Sequence, residues 1–460
     1  MKKLLLTLAV VAAAATSCQK EVVYNDTPVQ NQSVELVNSC TRSYDEALAI
    51  AEDALKLLEG EETRSTTRRV IKRNEGQTVK RPVTRGSETS DEPIMYVFNN
   101  EDNQGFTIVA ADRSRDPLIA VTELGSYTYG EPTGVEAFDA YMGGVTRQII
   151  IPDNPTLPDL PLVPTPIYIM DTIRYDYTKV GPLLKTKWGQ GGVYARETIM
   201  GRVGCGPVAI AQIMAYYRCP RTLELTYKNP STTITLNWTD ILKHSIGEGV
   251  SGPFSLHYAC DCGCDYVDMA QLLREVGERA GIDYGYDADY GGADVRIDMN
   301  DACSALIQLG YTATKFDPLF PEYQFYYTEM IADLQKSRPV LLRGWDSTLQ
   351  EGHIWVADGY YYIDSEIDYY KENPNYNPSL DNYEPQYKYD HTQITQNKLV
   401  HFNWGWNGMC DGWFEIDYFV SNDAAQYDDI EANNSVETDF GDGIMLIYNI
   451  SPCFNLGDLK

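Results

Sequence analysis

Two mixed helix-and-strand domains in series are what this sequence predicts. Three observations carry that reading. Residues 43–150 show a helix–hairpin–strand–helix pattern, and six prolines crowd into residues 152–166. The remainder, 167–460, has the size of one large α/β or α+β domain.

The first domain is legible element by element. Ser43 and Glu46 form a capping box at the start of a helix that runs to Leu58. Ala47, Ile50, Ala51, Ala54, Leu57 and Leu58 supply its apolar stripe. Residues 61–93 are rich in Arg, Thr, Ser and Glu and read as a flexible loop. Its basic cluster of Arg64, Arg68, Arg69, Lys72 and Arg73 is a solvated loop, with a proteolytic target as the alternative. Strands are expected at Ile94–Phe98, Gly105–Ala110 and Leu118–Val121, with a turn at Asn99–Asn103. A helix over Glu136–Ile150 closes the set. Pro152, Pro155, Pro158, Pro161, Pro164 and Pro166 then mark an extended linker.

Composition excludes some classes. A formal net charge of −29 leaves no basic surface for nucleic acid or anionic lipid. Hydrophobic residues make up 43%, enough for real cores, and 34 tyrosines suit a wet surface. Lys2 and Lys3 precede the apolar run Leu4–Ala15, too short to span a bilayer as a mature helix. Ala15-Thr16-Ser17-Cys18 resembles a bacterial lipobox, although Ala15 stands where Leu is usual. Residues 1–18 therefore read as a signal peptide with a lipidated Cys18, an ordinary signal peptide being the alternative. Residues 19–42 read as a tether. The expected location is exported: an outer-membrane or cell-surface lipoprotein, or a mature enzyme released from it.

Ten cysteines are present. Cys260-Asp261-Cys262-Gly263-Cys264 lacks the partner spacing of a zinc site, so disulfides or free thiols are expected there and no metal is assigned. Cys205 is different. It opens Gly204-Cys205-Gly206-Pro207, followed by Ala209, Ile210, Ile213, Met214 and Tyr217 at helical spacing, the expected buried face of an amphipathic helix. A thiol at a helix N-terminus feels the positive end of the macrodipole, which favours thiolate.

A thiolate nucleophile needs an imidazole, an orienting group and an oxyanion hole. His353 lies on a strand entered by Gly352, and is the candidate base. Asn403, in His401-Phe402-Asn403-Trp404, can hold its tautomer, with Trp404 covering that bond and His401 as a rival base. Gln190, in Trp188-Gly189-Gln190-Gly191, can supply a side-chain amide donor beside the Cys205 N–H. The Tyr-rich segment Ile363–Gln396 reads as a long loop that contacts substrate or gates the site, with a stabilising surface insertion as the alternative.

The order Gln190…Cys205…His353…Asn403-Trp404, with Ala211-Gln212-Ile213-Met214, Arg338-Pro339-Val340 and Asp411-Gly412-Trp413-Phe414, resembles the streptopain family of papain-like cysteine peptidases, interpains included. The resemblance implies an α+β papain-like fold, with Cys on the helical part and His and Asn on an antiparallel sheet. It implies an inhibitory prodomain over 43–152, a maturation region over 153–177 and a peptidase domain over 178–460. Cys205 would be the nucleophile, His353 the general base and acid, Asn403 the orienter, Trp404 its shield and Gln190 the oxyanion donor. Arg343, where the family often has Gln, and the acidic Asp287–Ala293 are departures that bear on cleavage preference. The function implied is a secreted bacterial cysteine endopeptidase made as a zymogen. It would act on protein or peptide substrates without cofactor, with its own prodomain as inhibitor and no nucleic-acid partner. A papain-like amidase, a transglutaminase-type acyl transferase and a non-catalytic surface binding protein are the alternatives.

Overall fold

The computed structural model describes residues 35–37, 41–59, 69–81, 92–113, 115–150, 167–169, 174–199, 201–243, 267–284, 295–316, 324–346, 351–376, 386–419 and 444–453. The leader, Cys18, most of the tether, the prolines of 152–166, the C-x-C-x-C run and Asp287–Ala293 lie outside them.

The N-terminal part contains β1 (Glu35–Val37), α1 (Tyr44–Glu59), β2 (Gln77–Lys80), β3 (Pro93–Asn99), β4 (Phe106–Ala110), β5 (Leu118–Thr122) and α2 (Glu136–Ile150). Next come β6 (Ile167–Ile169), β7 (Arg174–Val180), α3 (Cys205–Tyr217), β8 (Thr222–Leu225), β9 (Thr232–Thr235), α4 (Trp238–Lys243), α5 (Val267–Arg279) and α6 (Met299–Gln308). The chain ends with β10 (Tyr311–Phe316), α7 (Gln324–Leu334), β11 (Val340–Asp346), β12 (Glu351–Glu372), β13 (Tyr387–Asn403), β14 (Gly412–Glu415) and β15 (Ile444–Pro452). The capping box forms as read: Ser43 N donates to Glu46 Oε2 at 2.8 Å and Glu46 N to Ser43 Oγ at 3.3 Å.

The two halves share one sheet. Its central path runs β10-β15-β11-β12-β13-β14-β5-β4-β3-β2. The junction is the antiparallel pair β14–β5, where Trp413 faces Val121 and Phe414 faces Ala120. The halves thus meet through backbone hydrogen bonds, not through a loose side-chain interface.

Three cores follow from the pleat. On one face of β3–β5, α1 buries Ala47, Ala51, Ala54 and Leu55 against Tyr96, Phe98, Val109 and Trp413. On the other, α2 buries Phe138, Tyr141 and Val145 against Phe106, Ile108, Trp355, Trp404 and Phe414. The third core packs α3, α5 and α6 against Leu341, Ile354, Val356 and Ile447. The Tyr141 hydroxyl lies 2.9 Å from Ile119 O and 3.0 Å from Glu415 O, spanning the β5–β14 seam.

Three expectations need correction. Residues 61–93 are not loop throughout, because Gln77–Lys80 forms β2 and pairs antiparallel with β3. The helix after Cys205 is not one-sided, because every residue from Gly206 to Ala215 is buried. An interior helix between sheet and helices needs no polar face. The Tyr-rich segment is not a long loop either. β12 and β13 pair from Val356↔Asn403 out to Glu372↔Tyr387, and β7 and β6 pair with β12 alongside. Ile363, Ile367 and Tyr369 alternate with polar neighbours at the strand period, and Tyr and Ile favour strands. At ~3.3 Å per residue, a straight hairpin tip would sit about 50 Å from its Val356–Asn403 end. That geometry does not suit a gate over the site.

Candidate active site

Cys205 is the first residue of α3, and Gly204 caps it with φ +93°. Only glycine fits there: a Cβ would meet Val295 O at 2.6 Å, and the left-handed φ would strain any side chain. A Cβ on Gly206 would meet Ile297 Cδ1 at 2.3 Å, so α3 is pressed close against the residues flanking the site. The thiol is partly exposed, whereas His353 on β12 is only 4% exposed.

Cys205 and His353 act on each other's ionisation. Burial pushes the thiol up, but the facing imidazole and the Ile354 and Gly206 N–H groups outweigh it and hold it below its ordinary range. Burial likewise pulls His353 down, and the Cys205 charge and the Trp404 carbonyl raise it above its ordinary value. Opposite shifts in two touching groups favour a thiolate–imidazolium pair.

His353 is held from behind, though not as expected. Its Nε2 lies 2.8 Å from the backbone oxygen of Trp404. The Asn403 amide goes elsewhere. Asn403 Nδ2 donates to Thr186 O at 2.8 Å, and Asn403 Oδ1 accepts from Gln212 Nε2 at 2.9 Å and from Gly405 N at 3.1 Å. The reason is the pleat. Asn403 is paired with Val356, whose side chain packs in the α3 core, while His353 and Trp355 project from the opposite face. Asn403 therefore secures the Trp404–Gly405 peptide, and that peptide's carbonyl meets the imidazole.

Trp404 does not cover the imidazole with its indole either. Its Nε1 donates to Cys410 O at 2.9 Å, and its ring packs on Trp355, Phe402 and Phe414. Trp355 and Trp406 lie near-parallel to the His353 ring, each with centroids 6.4 Å away. Gln190 sits on the loop beside the helix start: its carbonyl accepts from Val203 N at 2.9 Å, and Asn407 N donates to the neighbouring Trp188 O at 3.0 Å.

Comparison with known proteins bears on what this arrangement is. Residues 188–414 match the model of the peptidase C10 family, and residues 32–143 match that of the Spi protease inhibitor. The chain is a streptopain-like cysteine peptidase with an inhibitor-type prodomain. Streptopain of Streptococcus pyogenes serotype M28 is 22% identical over 359 residues, covering 70% of this chain and 74% of its own. The thiol protease/hemagglutinin PrtT of Porphyromonas gingivalis is also 22% identical, over 71% of this chain but 34% of its own. Among solved structures, a Prevotella intermedia prointerpain A fragment aligns with a TM-score of 0.44 at 20% identity, covering 81% of this chain and 98% of that one.

The peptidase places the rival imidazole in a different setting. His401 Nδ1 lies 2.6 Å from Asp358 Oδ1, and Nε2 lies 3.4 Å from Glu123 Oε1 of the prodomain. Burial lowers its affinity for a proton, but Asp358 and Glu123 overcome that and raise it to about 10. Both ring nitrogens of His401 face carboxylates, and the imidazole that acts on Cys205 is that of His353.

Several residues that matter here escaped the sequence reading. Gln212 is a polar side chain in a wholly buried helix, which is itself a signal. Asp411 was visible in Asp-Gly-Trp-Phe, but its task was not. Trp355 and Trp406 were hidden among seven tryptophans. Arg343 is half-buried on the same face as Leu341, toward α3. Its charge acts on both Asp298 and Cys205. Among the described residues no cluster could hold a metal ion, no helix is long and apolar enough to cross a membrane, and Cys205, Cys219, Cys303, Cys410 and Cys453 are unbridged.

Proposed function

We propose that this peptidase is an exported endopeptidase made as a zymogen, with Cys205 as nucleophile and His353 as general acid and base. The observation that carries the reading is Cys205, partly exposed at the α3 N-terminus, with its ionisation favoured by the buried His353 imidazole. Cys205 Sγ attacks the scissile carbonyl, and the imidazolium gives its proton to the departing amine. That leaves an acyl-enzyme. His353 then takes a proton from water, which attacks the thioester and frees the acid and the thiol. The Trp404 carbonyl keeps the His353 Nε2 proton in place, so Nδ1 faces the sulfur. Asn403 serves through the peptide it secures, and Gln190 is the side-chain donor for the oxyanion alongside the Cys205 N–H.

Export follows from the basic, then apolar, leader and Cys18 is the proposed lipid anchor. Mass spectrometry of the protein from its host would show an acylated N-terminal Cys18; an unmodified N-terminus elsewhere would overturn the anchor. For the chemistry, iodoacetamide should label Cys205 and abolish hydrolysis of casein, and Cys205→Ala should have no measurable activity. Casein hydrolysis by folded Cys205→Ala would overturn the assignment. Transfer of the acyl group to amines in preference to water would favour the acyl-transferase alternative.

A further inference from the structure

The His353 Nε2 meets the backbone oxygen of Trp404, and one buried carboxylate anchors Trp404 from the other side. Asp411 is 1% exposed, and its Oδ1 accepts the Trp404 N–H at 2.8 Å. Trp404 O then lies 2.8 Å from His353 Nε2. The remaining freedom of this residue is removed by the indole bond to Cys410 O and by the Gly405 N–H bond to Asn403.

We propose that Asp411 is a positioning residue of the peptidase, fixing the Trp404 backbone so that its carbonyl holds the His353 imidazole toward Cys205. The inference rests on the assignment of Cys205 and His353 made above.

The surroundings of Asp411 suit a charged acceptor. Lys187, on the segment before α3, and His401, on β13, both favour its ionised form; His401 is in turn paired with Asp358 of β12. Glu123, just after β5 in the prodomain, opposes it, and Glu123 N also donates to Asp411 O at 2.8 Å. Burial is the largest influence and raises this carboxyl to about 7. An anionic acceptor makes the stronger hydrogen bond to an N–H.

The test uses full-length chains carrying Asp411→Asn or Asp411→Ala, processed with a trace of wild-type enzyme and counted by active-site titration. Asn keeps an acceptor without the charge, whereas Ala removes it. Expected are kcat losses of about 3–10-fold for Asn and roughly 30–100-fold for Ala, with KM within about twofold, as befits an interaction acting on the reacting groups. Iodoacetamide alkylation of Cys205 should slow below pH 7 in the same order and recover at pH 9, where bulk base makes the thiolate. A merely structural role would lower the yield of titratable sites but leave kcat per site and the alkylation profile unchanged. That result, read in Asp411→Asn if the Ala variant does not fold, overturns the proposal. A wild-type chain inactive on peptides would instead overturn the assignment of Cys205 and His353.

Discussion

At the scale of single residues, the candidate site is built from one thiol, one imidazole and the backbone that holds the imidazole. The thiol lies below its ordinary range and the imidazole above, each because of the other. Both shifts favour the ion pair, which breaks down on the acid side when Cys205 takes a proton and on the alkaline side when His353 loses one. Iodoacetamide should accordingly react with wild-type Cys205 well below the pH at which ordinary thiols ionise. His353→Ala should move the rate's midpoint upward by at least about one pH unit, since a buried thiol without its cation shifts up. An unchanged midpoint would mean that helix and backbone N–H groups suffice. Cys205, His353, Asn403, Trp404 and Gln190 were all legible as candidates from residue type, order and spacing. What the sequence could not reveal was parity. Whether Asn403 and His353 share a sheet face depends on the register Val356↔Asn403, which no local pattern encodes. The carbonyl of Trp404 is invisible for a simpler reason: every residue has one.

At the scale of elements, α1, β3, β4, β5 and α2 follow capping, alternation and turn chemistry closely, whereas β2 falls inside a stretch whose composition reads as loop. The Tyr-rich segment failed because its Tyr, Asn, Asp and Pro composition reads as loop. Its alternation resolves only when β6 and β7 supply partners for β12. The hairpin has consequences for function. Its far end carries exposed Tyr389 and Ile394, a long way along the strands from Cys205. Replacing residues 368–392 by a short Asn-Gly turn should leave kcat/KM and the peptide-library profile within about twofold of the parent, because strand pairing nearer the site is retained. A changed cleavage preference would show that the hairpin folds back over the cleft. The same element view explains Gly204 and Gly206. Their conformations and close approaches let a fully buried helix deliver its first residue to the sheet, so Gly206→Ala should cost about 1–3 kcal/mol of stability by overpacking Ile297. Thermal unfolding of Cys205→Ala chains with and without the change would measure it.

For the whole molecule, the decisive feature is the seam at which prodomain and peptidase become one sheet. β5 pairs with β14, Tyr141 bridges the pair, and Phe138 and Tyr141 pack on Phe414 at 6.2 and 5.2 Å. Beside that seam, Glu123 enters a cationic setting made by Lys187 at 3.0 Å and His401 at 3.4 Å. Burial pushes Glu123 up, but His401 and Lys187 win and hold its carboxyl far below the usual range. The depressed group contributes stability above its unfolded value of 4.5, lost as pH falls further; His401, raised to about 10, contributes below its ordinary 6.5, lost as pH climbs through about 10. The two windows overlap between roughly pH 5 and 6.5, where the Glu123–His401 contribution to the seam is complete. Acid should weaken it through Glu123, and alkali through His401. Glu123→Gln keeps the shape but removes the charge. Its partly exposed side chain limits the cost to about 1–3 kcal/mol, less than for a fully buried pair. In full-length Cys205→Ala chains, the parent should melt highest between pH 5 and 7 and lose several degrees toward pH 4. Glu123→Gln should melt lower at neutral pH and show a flatter acid limb. If calorimetry gives parallel curves for the two chains, the charge of Glu123 does not hold prodomain to peptidase, and the β5–β14 ladder with its aromatic packing carries the seam alone.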